Sequence, residues 1–519
     1  MSFSFLYNFE IEINQLLYLV HNIRKAWGNK NICQSTFLDI SSAFDKIWHK
    51  GLLAKLSQIG ITGDFHKILS SYLTNRRQRV VVDGAVSAEV SIRSGIPQGS
   101  RLGPLLFIIY INDILSDLES EALLFADDTS LLAVGEDPNI TAGILNRDLQ
   151  KISNWADKWK VTFNPKKSKD MIFSNKTLNN SPPLILNNVF VDRVNCHKHL
   201  GIYLSSDLSW SRHIHETCIK AYRKLSVLRS VRLLHRNTLD MLYKLTIRSV
   251  IDYGLVIFGT TLNQADLNRL ERVQYRAAKL VTGALHLTSR EKLNKELGWE
   301  TIRTRVDFLG LSLFHKIHNG GCRPLISTCL AERNLNRPTS TRNYKTYKNC
   351  PKFGVKFNKS FFPYFTNMFC ALAPTTSVLE LGEFKKELKV SLKPSKLKHF
   401  SYGSKLGNKL ITRLRVGRSF LNSHSYAVGK ANSPQCSCHA RQETSRHYLL
   451  QCFLYTVERQ NLFDLVSHHV PNFKQLPQYK QENILLFGIP GNEEDVKNIN
   501  ISLTKIVQNY ILQTKRFKY

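Results

Sequence analysis

Apolar residues at Ile11, Ile13, Leu16, Leu17, Val20 and Ile23 recur at close to helical spacing and predict a helix over Asn8 to Trp27. Ser35 to Ile40 reads as a short buried strand that delivers Asp39 at its end, and Ser42 to Gln58 reads as a helix. Between Arg79 and Arg93 two β-rich runs flank Asp83-Gly84, the turn chemistry of a tight hairpin. A helix is expected from Ser100 to Asp117. The apolar run Leu123 to Ala126 then meets Asp127-Asp128 and resumes from Ser130 to Val134, which spells strand, acidic tip, strand. A long helix over Ile140 to Lys160 and short strands at Lys169 to Phe173 and His199 to Leu204 complete this part. Helical patterning dominates Trp210 to Leu234 and Asn237 to Gly283. Tyr344 to Lys359 is basic and poorly patterned, as a linker would be, and from Gly407 helices mix with a Cys/His cluster. The pattern is of the α+β class.

Length and charge narrow the classes. The 519 residues suggest roughly three structural units. Lys plus Arg is 72 against 40 Asp plus Glu, a formal charge of +32, which calls for a polyanionic partner. The longest apolar run, Pro104 to Ile111, is too short to span a bilayer, which leaves nucleic acid or an acidic membrane face as the polyanion. Glu10 and Glu12 and the lack of a basic start argue against a secretory leader. Ten mostly scattered cysteines make no disulfide framework and suggest an intracellular, reducing setting, nucleus or cytoplasm.

Three acids, Asp39, Asp127 and Asp128, follow apolar strands. If those strands are neighbours, the carboxylates meet at one edge and offer hard oxygen ligands suited to Mg²⁺. Alone, the same residues equally suit a helix cap and a turn. The surrounding blocks break the tie. FLDISSAFDKIWHKGLLAKL runs from Phe37 to Leu56, SGIPQGSRLGPLLFIIYINDI from Ser94 to Ile114, and FADDTSLL from Phe125 to Leu132. LQKISNWADKWKVTFNPKKSK runs from Leu149 to Lys169 and HKHLGIYL from His197 to Leu204. In order and spacing these blocks resemble the palm motifs of the reverse transcriptases of non-LTR retrotransposons, nearest the jockey-like group.

The resemblance implies a right-hand polymerase palm over 35–205, with a partial fingers remnant at 1–34. A helical thumb would follow at 206–340, a basic linker at 341–400, and a mostly helical nucleic-acid-binding region with a CCHC cluster at 401–519. It implies an RNA-directed DNA polymerase that uses two Mg²⁺ ions, or Mn²⁺, held by Asp39 and Asp127 with Asp128 in support. Phe44 would sit under the sugar and exclude a 2′-hydroxyl; by residue type alone the core reading is favoured, since aromatics are usually buried. Gly95, Pro97, Gln98 and Gly99 would form the loop at the nascent base pair. There glycine backbone can approach a ligand closely and Pro97 stiffens the turn. Lys167, beside Lys166, would protonate the leaving pyrophosphate or stabilise its charge. His199-Leu200-Gly201 would belong to a hairpin gripping the primer. The basic positions Arg269, Arg272, Arg276 and Lys279 would follow the template–primer backbone.

From Leu388 to Gln442 there is no Asp or Glu, while 11 Lys or Arg occur together with Phe400, Tyr402, Phe420 and Tyr426. Such a stretch suits nucleic acid, with the aromatics available for stacking. Cys436-Ser-Cys438, eight residues, His447, four residues and Cys452 form a set able to close a tetrahedral zinc site. It resembles the family's C-terminal knuckle, although His439 stands where glycine is usual.

Only 38 residues precede Asp39, so the resemblance implies an N-terminally truncated polymerase with incomplete fingers. The implied partners are an RNA template, a DNA primer or target, and deoxynucleoside triphosphates, and no membrane, with the nicking endonuclease supplied by another polypeptide. The alternative is an inactive retroelement remnant that only binds nucleic acid.

Overall fold

The computed structural model describes residues 8–174, 181–322, 324–331, 354–372, 376, 379–392, 402–491 and 493–517. The chain divides into two units. The first comprises residues up to His213 together with Phe314–Ala371, and the second Ile214–Leu313 with Leu372 onward.

In the first unit a five-stranded sheet forms around β1 (Ile32–Leu38), all seven of whose residues are buried. Its neighbours are β2 (Glu121–Phe125), β3 (Asp128–Gly135), β4 (Lys169–Phe173) and β5 (Asp192–Arg193), in the order β5-β4-β1-β3-β2. β1 runs antiparallel to both β3 and β4, whereas β5 joins β4 in parallel. Helix Pro138–Trp159 packs on β1 and β3 through Leu145, Leu149 and Ile152, into a core shared with Leu38, Phe107 and Tyr110. It begins two residues earlier than its apolar pattern suggests. Asp137 caps it, its carboxylate accepting from the amides of Asn139 and Ile140, with Pro138 in the first turn.

Four expectations need correcting. Ser42 to Lys46 is turn, and the helix starts at His49. Ser42 takes φ +53°, and the Phe44 and Ile47 carbonyls accept from the amides of Ile96 and Gly95 instead of building helix. His199 to Leu204 is a hairpin, Cys196–His199 against Ile202–Ser205, because Leu200 (φ +43°) and Gly201 (φ +76°) turn the chain. The helix expected from Ser100 to Asp117 is α-helical only over Leu102–Ile111 and tightens to 3₁₀ at Asn112–Leu115. The supposed linker at 341–400 contains core: helix Phe361–Cys370 buries Phe361, Phe362, Phe365 and Phe369 and packs on helix Asn8–Gly28. The Phe362 ring stands edge-on to His21 at 5.0 Å. Residues 344–353 of that range, and Phe400, lie outside the described residues.

The second unit is helical. Helix Lys405–Arg415 packs against Gln264–Thr282 and Glu494–Gln513 around Leu410, Ile411, Leu414, Val507 and Tyr510. Beneath it lies a buried charge cluster in which Glu296 accepts from Arg236, Arg415 and Thr412. Arg415, one of the cations of the acid-free stretch, is therefore committed to the interior. Among the described residues no helix is long and apolar enough to cross a membrane.

Candidate active site and Cys/His cluster

β1 and β3 bring the acids together. Their register pairs Leu38 with Thr129, and one further step sets Asp39 beside Asp128. β2 and β3 close through Ala126 (φ +50°) and Asp127, with Phe125 paired to Asp128, so all three acids occupy one sheet edge. Partial burial, then the charges of Asp127, Asp39 and Glu12, push the Asp128 carboxyl up to about 6. Glu12 was missed by sequence reasoning. It sits on the first helix with no motif around it, and only the packing of that helix on the sheet brings it near.

Asp39 is held through its backbone. The Asn164 amide donates to its carbonyl (2.8 Å), and its own amide donates to Ser168 Oγ (3.2 Å). Its carboxylate Oδ2 is buried and lacks any hydrogen-bond partner. It forms a loose ion pair with Lys167 Nζ, 4.0 Å away and beyond hydrogen-bond reach, on an exposed side chain. An oxygen shielded from solvent, without a hydrogen-bond donor and close to further carboxylates, favours a bound cation, although the Asp39 side chain as a whole is 41% exposed. The donor set of hard oxygens fits a divalent cation such as Mg²⁺.

The glycine-rich loop is clamped on the first block. The amides of Gly95 and Ile96 donate to the carbonyls of Ile47 (2.8 Å) and Phe44 (3.0 Å), and His49 Nε2 lies 2.6 Å from the Gly95 carbonyl. Gln98 Nε2 donates to Asp45 Oδ1 at 2.8 Å, an exposed contact that orients the amide. Gly95 has φ +86°, and a Cβ there would lie 2.7 Å from the Asp45 carbonyl oxygen, so only glycine fits. Pro97 accepts from the Ser100 hydroxyl through its carbonyl, and Gly99 (φ +84°) completes the turn. Phe44, half-buried, stacks on Phe107 at 4.7 Å. The hairpin of the fifth block rests on β1, with the rings of His197 and His199 4.6 and 4.7 Å from Phe37. Asp45 and His49 therefore hold the loop; both were quoted within the first block, but their partners became visible only in the fold.

In the second unit Cys436, Cys438, His447 and Cys452 are all buried, with their ligand atoms within 4.8 Å of one another. Cys436 Sγ lies 3.6 Å from Cys452 Sγ, and Cys438 Sγ lies 3.2 Å from His447 Nε2. These separations are close to the edge of a zinc tetrahedron, about 3.8 Å between sulfurs for bonds of about 2.3 Å. His439 adopts φ +60°, the conformation that glycine would take more easily. Glu443, buried beside Cys436, is gripped by Arg516 at 2.5 Å. Three thiolates and an imidazole fit Zn²⁺. The wild-type chain is expected to carry one zinc per molecule, and Cys452→Ser substantially less, by metal analysis after dialysis; equal content in the two would refute a site here.

Residues 6–213 match the family model described as reverse transcriptase (RNA-dependent DNA polymerase). The chain is 32% identical over 301 residues to a probable RNA-directed DNA polymerase from transposon X-element of Drosophila melanogaster, covering 56% of this chain and 33% of that protein. It is 30% identical over 283 residues to the RNA-directed DNA polymerase from mobile element jockey of the same species, covering 52% and 30%. A Pol polyprotein from the type-1 retrotransposable element R1 of Bradysia coprophila is 23% identical over 431 residues, covering 80% and 40%. The chain thus spans about a third of the length of the first two relatives. Among solved structures, a telomerase from Candida albicans in complex with a TWJ fragment of telomeric RNA aligns at TM-score 0.24 and 12% identity over 58% of this chain and 56% of its own. That score is too low to argue a shared fold.

Proposed function

We propose that the reverse transcriptase domain of this chain, of the jockey-like non-LTR kind, adds deoxynucleotides to a primer 3′-hydroxyl on an RNA template. The observation that carries this reading is the sheet edge where Asp39, whose Oδ2 has no hydrogen-bond donor, meets Asp127 and Asp128, with Lys167 Nζ 4.0 Å from that oxygen. Asp39 and Asp127 would hold two Mg²⁺ or Mn²⁺ ions, with Asp128 in support. Such ions activate an attacking hydroxyl and stabilise a leaving pyrophosphate.

The remaining steps fall to the protein. The primer 3′-hydroxyl gives up its proton to water, its oxygen bonds to the α-phosphorus as the bond to pyrophosphate breaks, and Lys167 Nζ donates a proton to, or screens, the leaving group. The clamped loop of Gly95, Pro97, Gln98 and Gly99 would lie along the nascent base pair, with the Gln98 amide set by Asp45. Phe44 would floor the sugar site and reject a 2′-hydroxyl. The Cys/His cluster would hold a structural zinc and help to grip RNA or target DNA.

Purified chain given poly(rA)/oligo(dT), dTTP and Mg²⁺ or Mn²⁺ is expected to extend the primer, and Asp127→Ala to fail. If wild type extends no more primer than the variant while both bind RNA, the chain is a binding remnant and the polymerase reading falls.

A further inference from the structure

The last helix of the second unit, Glu494–Gln513, and the residues just after it are built into the Cys/His cluster at two points. The first is electrostatic. Arg516 donates from Nε and Nη2 to the two carboxylate oxygens of Glu443, each at 2.5 Å. Glu443 is 1% exposed, and its Oε1 lies 4.0 Å from Cys436 Sγ. Arg516 Nη2 also reaches the Asn422 side-chain oxygen at 3.2 Å and the Phe420 carbonyl at 3.3 Å, while the Asn422 backbone amide donates to Glu443 at 2.6 Å. The second point is Tyr448, which follows His447 in the chain and is fully buried. Its hydroxyl shares a hydrogen bond with the Thr514 hydroxyl (2.6 Å), and its carbonyl accepts from the Tyr510 hydroxyl (2.8 Å). Its ring packs against those of Tyr510 and Phe517, each at 5.5 Å.

The charges give this arrangement a direction. Without metal the cluster is three thiols and an imidazole, which carry no net charge. Zinc binding releases the thiol protons to water, and three thiolates around Zn²⁺ leave one net negative charge. Glu443 adds a second beside Cys436. Like charges buried side by side are unfavourable, and only the loaded cluster presents such a pair. The Arg516 guanidinium therefore favours the loaded protein over the metal-free one. Coupling between two events is reciprocal, so whatever Arg516 adds to metal affinity the metal returns to the docking of the segment that carries Arg516.

We infer that Arg516 is a positioning residue of the zinc site, and that metal loading and the docking of helix Glu494–Gln513 are one coupled event. The inference rests on the zinc reading of Cys436, Cys438, His447 and Cys452 and does not depend on polymerase activity. Its reach extends past the cluster, because the same helix packs on Lys405–Arg415 and supplies Val507 and Tyr510 to the core of this unit.

The test uses the full chain. Zinc affinity is read by competition with a chromogenic chelator, and hydrogen exchange is followed in peptides covering 494–513 with and without zinc. Arg516→Gln is expected to weaken zinc binding by about tenfold or more, the effect of removing a group that supports a ligand shell. Arg516→Lys, which keeps the charge, should recover part of that loss. In the wild type, zinc should slow exchange in 494–513 by a comparable factor and leave helix Pro138–Trp159 unchanged. That measurement needs no substitution, so misfolding of a variant cannot decide the matter. Zinc held by Arg516→Gln within about twofold of wild type, or exchange in 494–513 indifferent to zinc, overturns the coupling and leaves the zinc site standing. A wild type that takes up no zinc removes the site and the coupling together, and metal analysis alone would reveal it.

Discussion

Asp39→Asn should bind template–primer as the wild type does and extend it roughly 1,000-fold more slowly, a loss of about 4 kcal/mol in transition-state stabilisation. The side chain keeps its size, and the backbone bonds to Asn164 and Ser168 do not involve it, so the loop that presents residue 39 should survive. Only the charge changes. In the metal-free protein that charge lies close to Asp128, whose carboxyl already feels Asp127 and Glu12. Removing it relieves repulsion, and the variant should melt no lower than wild type. A large loss of rate without loss of stability marks a residue retained for ligation rather than for packing. Single-turnover extension with Mg²⁺ and with Mn²⁺, beside filter binding and thermal unfolding, would measure all three quantities. A variant within tenfold of wild type would remove Asp39 from the metal site.

The same edge shows what could be read in the sequence. β1 and the β2–β3 hairpin announce themselves because an apolar run ends abruptly in acid, and that local signal survives folding. The turn at Gly95 and Gly99 was legible in the sequence; its clamp was not. The amides of Gly95 and Ile96 find their acceptors about 50 residues back, and the carbonyls they use are the ones that the expected helix from Ser42 would have needed. Periodicity cannot reveal such competition, because it reports which faces are apolar and not where the backbone bonds go. The aromatic run at Phe361 failed for a related reason. Its basic flanks suggested a linker, while its partner, helix Asn8–Gly28, lies more than 300 residues away. Net charge misled in part as well. The acid-free stretch reads as a surface for ligand, but Arg415 has its counter-ion in Glu296, 119 residues earlier.

Glu296→Gln is expected to destabilise the second unit by about 3–5 kcal/mol at neutral pH, because it strands two buried guanidiniums. Glu296 Oε1 accepts from Arg236 Nη1 at 2.8 Å, Thr412 Oγ1 at 3.0 Å and Arg415 Nη1 at 3.3 Å, and all three charged side chains are at most 4% exposed. One carboxylate thus bridges two cations drawn from both sequence segments of the unit. Burial alone would raise its pKa, but Arg415 and Arg236, with the hydrogen bonds from Arg236 and Thr412, outweigh burial and hold it below the ordinary glutamate value. A carboxyl lowered by folding contributes stability that is present above its unfolded pKa, about 4.3, and is lost as the pH falls toward the folded value. The wild type should therefore lose stability in acid faster than Glu296→Gln, and the gap between them should narrow below about pH 4. Hydrogen exchange in peptides covering 290–300 and 405–415, followed from pH 7 downward, isolates this unit from the rest of the chain. Replacing the cluster by apolar residues of similar volume (Arg236→Met, Glu296→Leu, Arg415→Met) should recover most of the loss, since the penalty lies in unpaired charge rather than in missing contacts. Protection in Glu296→Gln within about 1 kcal/mol of wild type at neutral pH would mean that water reaches the two arginines, and that the helix Lys405–Arg415 is held by its apolar face alone.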